Sequence, residues 1–140
     1  MFRRVLVDTD VVLDLLLGRE PFFPAATRLF GAFQERRIEG YVSSLAFSNL
    51  FYILRKQVPG PEAIGILRKL RLIARVLPVD EKIIDRALAS TFTDFEDAIQ
   101  YFSAAEQGLD AIVTRNRRDY KASKIPIVSA EECLELSGFE

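Results

Sequence analysis

Histidine and tryptophan are absent from this chain, and it has a single cysteine, Cys133, and a single methionine. Without histidine there is no Ser-His-Asp triad and no His-based zinc centre. One cysteine permits neither an internal disulfide nor a Cys-based metal site. No apolar run reaches the roughly 20 residues that span a bilayer. Met1-Phe2-Arg3-Arg4 leads into a strand with no signal-peptide core, so the expectation is a cytoplasmic protein without membrane segments. Carboxylates are then the groups left to act as acid, base or ligand.

The chain has 140 residues, 49% hydrophobic and 28% charged, which suits one globular domain over residues 1–140 with a sizeable core. Eleven phenylalanines point to a Phe-rich core and an apolar contact surface. The net charge of −1 conceals an asymmetry. Residues 1–79 carry 12 Lys and Arg against 7 Asp and Glu, and residues 80–140 carry 7 against 13. Overall charge alone does not mark a nucleic-acid binder.

Arg4-Val5-Leu6-Val7 reads as a buried strand that runs straight into Asp8-Thr9-Asp10, after which the pattern turns helical to Leu17 and stops at Gly18. Pro24 opens a second helix to about Arg37, with Ala25, Leu29, Phe30 and Phe33 on its core face. A strand at residues 40–43 ends at Ser43 or Ser44, either of which can cap a third helix to about Lys56. That helix is apolar nearly all round, which predicts a buried element with Asn49 as its one strongly polar interior residue. A fourth helix, residues 62–74, has a basic exterior, and a short strand follows at residues 75–79. Asp80 caps a fifth helix to about Ala89. Thr93-Asp94-Phe95-Glu96 has capping-box form, so a sixth helix is expected from Thr93 to Gln107, with Phe95, Ala98, Ile99, Phe102 and Ala105 as its core stripe. Strands at residues 111–114 and 125–128 follow, the last expected at a sheet edge because of Pro126. Ser129 caps a final helix. Strands alternating with helices predict an α/β three-layer sandwich around a mostly parallel, five-stranded sheet.

In such a fold the strand C-termini and the following helix N-termini share one rim. Asp8, the pair Asp94 and Asp97, and Asn116 with Asp119 can therefore converge. Clustered carboxylates repel unless a cation sits among them, and oxygen-only ligands select a hard ion, Mg²⁺ or Mn²⁺. Such an ion suits phosphoryl chemistry. Asp94 and Glu96 have a structural reading as helix-start acids. Asp97, one turn in beside the apolar stripe, is costly there unless bound. Asp10 and Asp14 share a helix face and divide evenly between solvated acid and support for the site. Asp119 reads as a loop residue. Arg115, Arg117, Arg118 and Lys121 form a basic run that either is solvated or holds substrate phosphates.

The strand-Asp8-Thr9 opening, the Ser43-Ser44 helix entry, Asp97-Ala98-Ile99 and Ile112-Val113-Thr114-Arg115-Asn116-Arg117-Arg118-Asp119-Tyr120 resemble, in that order, the PIN domain family over almost the whole chain. The resemblance implies a sheet in the order 3-2-1-4-5 and a Mg²⁺- or Mn²⁺-dependent ribonuclease, often the toxin of a toxin–antitoxin pair. It maps the first metal ligand onto Asp8 and the helix acid onto Asp97. The family's acid on the third helix falls on Asn49, and the one after the fourth strand falls on Asn116, so the implied catalytic set is Asp8, Asn49, Asp97 and Asn116, with Asp8, Asp97 and Asn116 as metal ligands. Each amide removes one negative charge, which Asp10, Asp94 and Asp119 are placed to offset. The implied partners are an RNA substrate, an antitoxin protein and a second copy of the chain. Two other readings compete. One is a PIN-like module that binds RNA or protein without cleaving. The other is a haloacid-dehalogenase-like phosphatase, with Asp8 as nucleophile and Asp10 as general acid, since Asp8-Thr9-Asp10-Val11-Val12 fits that opening.

Overall fold

The computed structural model describes residues 2–138. Five parallel strands form one sheet: β1 (Arg4–Val7), β2 (Glu39–Ser43), β3 (Arg75–Leu77), β4 (Ala111–Val113) and β5 (Ile127–Val128), in the order β3-β2-β1-β4-β5. Every pairing is parallel, so the mostly parallel expectation becomes an all-parallel sheet with β5 at its edge. Parallel sheets need both faces covered, and β1 at the centre follows that rule: Val5, Leu6 and Val7 are all fully buried.

The helices are α1 (Thr9–Leu16), α2 (Phe23–Gln34), α3 (Ser44–Leu54), α4 (Gly60–Ile73), α5 (Glu81–Leu88), α6 (Phe95–Glu106) and α7 (Ala130–Leu136). Successive strand residues face opposite sides of the sheet. Val5 and Val7 therefore pack with α1, α2, α3, α4 and α7, whereas Leu6 packs with Tyr101 and Ala104 of α6 on the other face. A smaller cluster joins Ile83 and Ala87 of α5 to Ala98 and Ile99 of α6. These are three layers, helix, sheet and helix.

Four expectations are corrected. The second helix stops at Gln34 rather than Arg37, because Arg36 takes a left-handed conformation (φ 60°) and Arg37 N–H closes the last turn on Ala32 O at 3.0 Å. The third helix is not buried all round. Only Ala46, Leu50 and Leu54 are buried, while Leu45 is 45% and Tyr52 68% exposed, so its largely apolar sequence leaves part of its apolar surface on an open face. The sixth helix is capped by Asp94, whose carboxylate accepts from Asp97 N–H at 3.0 Å, not by Thr93. With that start the helix buries Asp97, Ala98, Ile99, Gln100, Tyr101, Ser103 and Ala104 and leaves Phe95 and Ala105 exposed, so the predicted stripe holds only in its middle. Among the described residues no helix is long and apolar enough to cross a membrane.

Candidate functional site

Asp8 ends the buried strand at the sheet's topological switch, where β1 has β2 on one side and β4 on the other. Its N–H still donates to Val113 O at 2.9 Å, so the sheet ladder fixes where its carboxylate stands. It is also the N-cap of α1, with Oδ1 accepting from Thr9 N–H at 2.7 Å. Capping uses one lone pair of four. The others accept from Gln100 Nε2 (2.8 Å, on Oδ1), Thr114 Oγ1 (2.8 Å, on Oδ2) and Tyr120 Oη (3.3 Å, on Oδ2). Four donors around a carboxylate that is 9% exposed answer the cost of burying its charge.

Asp97, 8% exposed, meets Asp8 through one atom. Tyr120 Oη lies 3.2 Å from Asp97 Oδ1 and 3.3 Å from Asp8 Oδ2, and it accepts from Gln100 Nε2 at 2.9 Å. Burial, then the nearby charges of Asp8, Asp94 and Asp119, push the Asp97 carboxyl up to about 7. Burial and the same two carboxylates, Asp8 and Asp97, also raise the Tyr120 phenol, which keeps it a donor. Asp10 adjoins the pair through Thr114, whose Oγ1 lies 3.4 Å from Asp10 Oδ2, and it accepts Arg115 N–H at 3.1 Å. Burial first, and Asp8 second, raise its carboxyl to about 6.

Other predicted residues are placed elsewhere. Asn116 is exposed at the start of a 3₁₀ turn, η1 (Arg117–Tyr120). Its backbone N–H donates to Thr114 Oγ1 at 3.0 Å, and its side chain makes no capping bond. Asn49 is half-buried and lines a groove of about 310 Å³ between α3 and α6, together with Thr9, Ser43, Phe95, Ile99 and Gln100. Thr9 and Gln100 both hydrogen-bond Asp8, so the wall of that groove adjoins the acidic pair, although neither Asp8 nor Asp97 lines it. Asp94 is exposed at its cap and Asp119 half-buried on η1.

Asp14 and Arg115 are not a solvated acid and a phosphate hook. Asp14, 1% exposed, takes two parallel bonds from Arg115, from Nε at 2.8 Å and from a terminal nitrogen at 3.0 Å. The guanidinium also lies 3.9 Å from the ring centre of Phe22. Arg117 pairs with Glu132. Among the described residues, Arg118 and Lys121 are the members of the basic run in no ion pair.

Gln100, Thr114 and Tyr120 carry no role in the sequence reading, although Thr114 and Tyr120 lie inside the quoted motif. One signal for Gln100 was available. It stands one turn beyond Asp97 in the middle of an apolar stripe, where a buried amide needs partners for the same reason a buried acid does.

An all-parallel α/β sandwich with a buried acidic pair at its switch point defines the class of domain. A family model described as PIN domain matches residues 4–118, and the chain belongs to the PIN domain family. It is similar to Ribonuclease VapC1 of Aquifex aeolicus (strain VF5), 21% identical over 137 residues and covering 94% of both chains. Among solved structures, VapBC-1 from nontypeable Haemophilus influenzae superposes with a TM-score of 0.70 at 13% identity, over 91% of this chain and 98% of that one. A toxin–antitoxin complex from Klebsiella pneumoniae does so with a TM-score of 0.67 at 21% identity, over 90% and 97%. At these identities the structural likeness is one of fold. The phosphatase reading of Asp8 and Asp10 is thereby set aside.

PIN nucleases generally use divalent metal ions. Among the described residues no group of three or more acids is assembled to hold one. The donor chemistry nevertheless suits a hard cation. Asp8 and Asp97 offer oxygen alone, and two further buried acceptors, Asp10 Oδ1 and Gln100 Oε1, have no hydrogen-bond partner.

Proposed function

We propose that this PIN domain is a metal-dependent endoribonuclease and the toxin of a toxin–antitoxin pair. The observation that carries the reading is the meeting of Asp8 and Asp97, from the end of β1 and the first turn of α6, on a single hydroxyl at the sheet's switch point. The curated relative named as a ribonuclease, and fold neighbours solved as toxin–antitoxin complexes, support it. Asp8 and Asp97 would hold Mg²⁺ or Mn²⁺, with the Asn116 carbonyl as a third, uncharged ligand from the loop that bears Thr114. When bound, such an ion activates a water and offsets charge on the scissile phosphate.

The chain's own residues prepare that chemistry. Thr9 N–H and Thr114 Oγ1 fix the Asp8 carboxylate. The groove past Asn49 gives single-stranded RNA a path to it, and exposed Leu45 and Phe95 at its lips offer surfaces for base stacking. Arg118 and Lys121 are free to meet phosphates. The open apolar face of α3, with exposed Ile64 and Leu72 of α4, supports a protein partner, either an antitoxin or a second copy of the chain.

The test is cleavage of single-stranded RNA in Mn²⁺ by the wild type, Asp8→Asn and Asp97→Asn. Each variant should lose more than about 100-fold in rate, since even residues that only orient a metal ligand are worth 10–100-fold. A second reading, a binding module without cleavage, is favoured by the amides at Asn49 and Asn116. Wild-type protein that binds RNA and leaves it intact in Mn²⁺ would establish that reading instead.

A further inference from the structure

Asp8 has a hydrogen-bond donor against each of its four lone-pair directions, yet it is the acid on which the metal reading depends. Two of its donors, Thr9 N–H and Thr114 Oγ1, come from the backbone of α1 and from a side chain that is 1% exposed at the end of β4. These are anchored by the fold. The other two, Gln100 Nε2 and Tyr120 Oη, stand between Asp8 and Asp97 and bond to each other. Tyr120 has one hydroxyl hydrogen for two carboxylates, and its distances of 3.3 and 3.2 Å are both long for O–H···O⁻, which closes to about 2.5–2.7 Å when the bond is committed to one acceptor. The hydroxyl is thus shared and strongly bound by neither. Gln100 is 6% exposed and donates with both hydrogens while its own Oε1 has no partner. A half-turn of that carboxamide exchanges a donor for an acceptor.

We propose that the Tyr120 hydroxyl and the Gln100 carboxamide are a gate on the acidic pair: without metal they hold Asp8 and Asp97 by hydrogen bonds, and a divalent cation binds only when they withdraw. Both are positioning residues rather than members of the usual acidic set, and Gln100 Oε1 is the acceptor that the half-turn brings toward the cation. Metal affinity in this chain is then lowered by the hydrogen bonds that must be broken first. The inference rests on the metal reading above and concerns the same site.

The experiment is Mn²⁺ binding to the purified chain, followed by titration calorimetry and by the electron paramagnetic resonance signal of free Mn²⁺, in wild type, Tyr120→Phe, Gln100→Leu and Asp8→Asn. Circular dichroism confirms folding of each. Tyr120→Phe keeps the ring and removes the shared hydroxyl, so Mn²⁺ should bind about tenfold more tightly, the loss of one net hydrogen bond of about 1.4 kcal/mol. Gln100→Leu removes donor and acceptor together and should gain less than Tyr120→Phe or lose affinity, and Asp8→Asn should not bind. Tyr120→Phe with affinity equal to or weaker than wild type, while Asp8→Asn abolishes binding, overturns the gate and leaves the metal reading standing. No Mn²⁺ binding to wild type or to Tyr120→Phe overturns both.

Discussion

Arg115 sits in the basic run but points inward, and the geometry gives its loss a definite size. Its side chain is one-third exposed, whereas Asp14 is sealed beneath it with both oxygens committed to the guanidinium. Removing the arginine leaves a buried charge without its partner, which costs about 3 kcal/mol. Arg115→Met should therefore lower the unfolding free energy by that amount, and Asp14→Leu combined with Arg115→Met should recover most of it, as chemical denaturation of the two variants would reveal. Residue chemistry in the sequence told an acid from an amide but not which cation belonged to which acid. Asp14 and Arg115 lie on α1 and on the loop after β4, and only the parallel pairing of β1 with β4 makes them neighbours.

At the scale of elements, β2 lies so close to α2 that a Cβ on Gly40 would overlap the Phe33 ring. Phe33 is 4% exposed and stacks edge-on against Phe30 at 4.9 Å, so it has little room to yield. Gly40→Ala should destabilise the fold by about 1–3 kcal/mol through overpacking, measured as a fall in Tm, and Gly40→Ala with Phe33→Leu should restore part of it. Element types were legible because β1 is a short apolar run ending in an acidic turn and because Asp80 and Ser129 are caps that the chain uses. The phase of α6 was not. Thr93 and Asp94 are both good caps, and it is packing against the sheet and α5 that turns Phe95 outward and Gln100 inward. The open face of α3 was illegible for another reason. Apolar side chains on nearly every face carry no record of which side lacks a neighbour.

For the whole molecule, the acidic centre links folding to pH. Asp97 and Asp10, raised to about 7 and about 6, bind protons more tightly in the folded chain than in the unfolded one, where carboxyls titrate near 4. Their contribution is then greatest in acid. Stability should fall as pH rises from about 4 through about 7 and level off above. A Tm series in chelator over that window checks the sign, apart from any acid unfolding below it. Saturating Mn²⁺ should raise Tm more at pH 8 than at pH 5, because protons compete for Asp97 at the lower pH. A Tm that climbs steadily between pH 5 and pH 8 in chelator would contradict the burial of these acids.

Composition and order along the chain determined that the protein is an α/β sandwich and singled out Asp8 and Asp97 as acids too costly to bury without partners. Those conclusions rest on local physics, the period of apolar residues and the cost of an acid beside a buried strand. Tertiary structure alone decided that the two acids meet on Tyr120, that Gln100 completes the network, that Arg115 is occupied by Asp14, and that Asn49 and Asn116 stand on a groove wall and an exposed turn. The physical reason is that hydrogen bonds and ion pairs reach only about 3 Å. Which groups come within that reach is settled by sheet register and helix phase together, and neither is written in the spacing of any one motif.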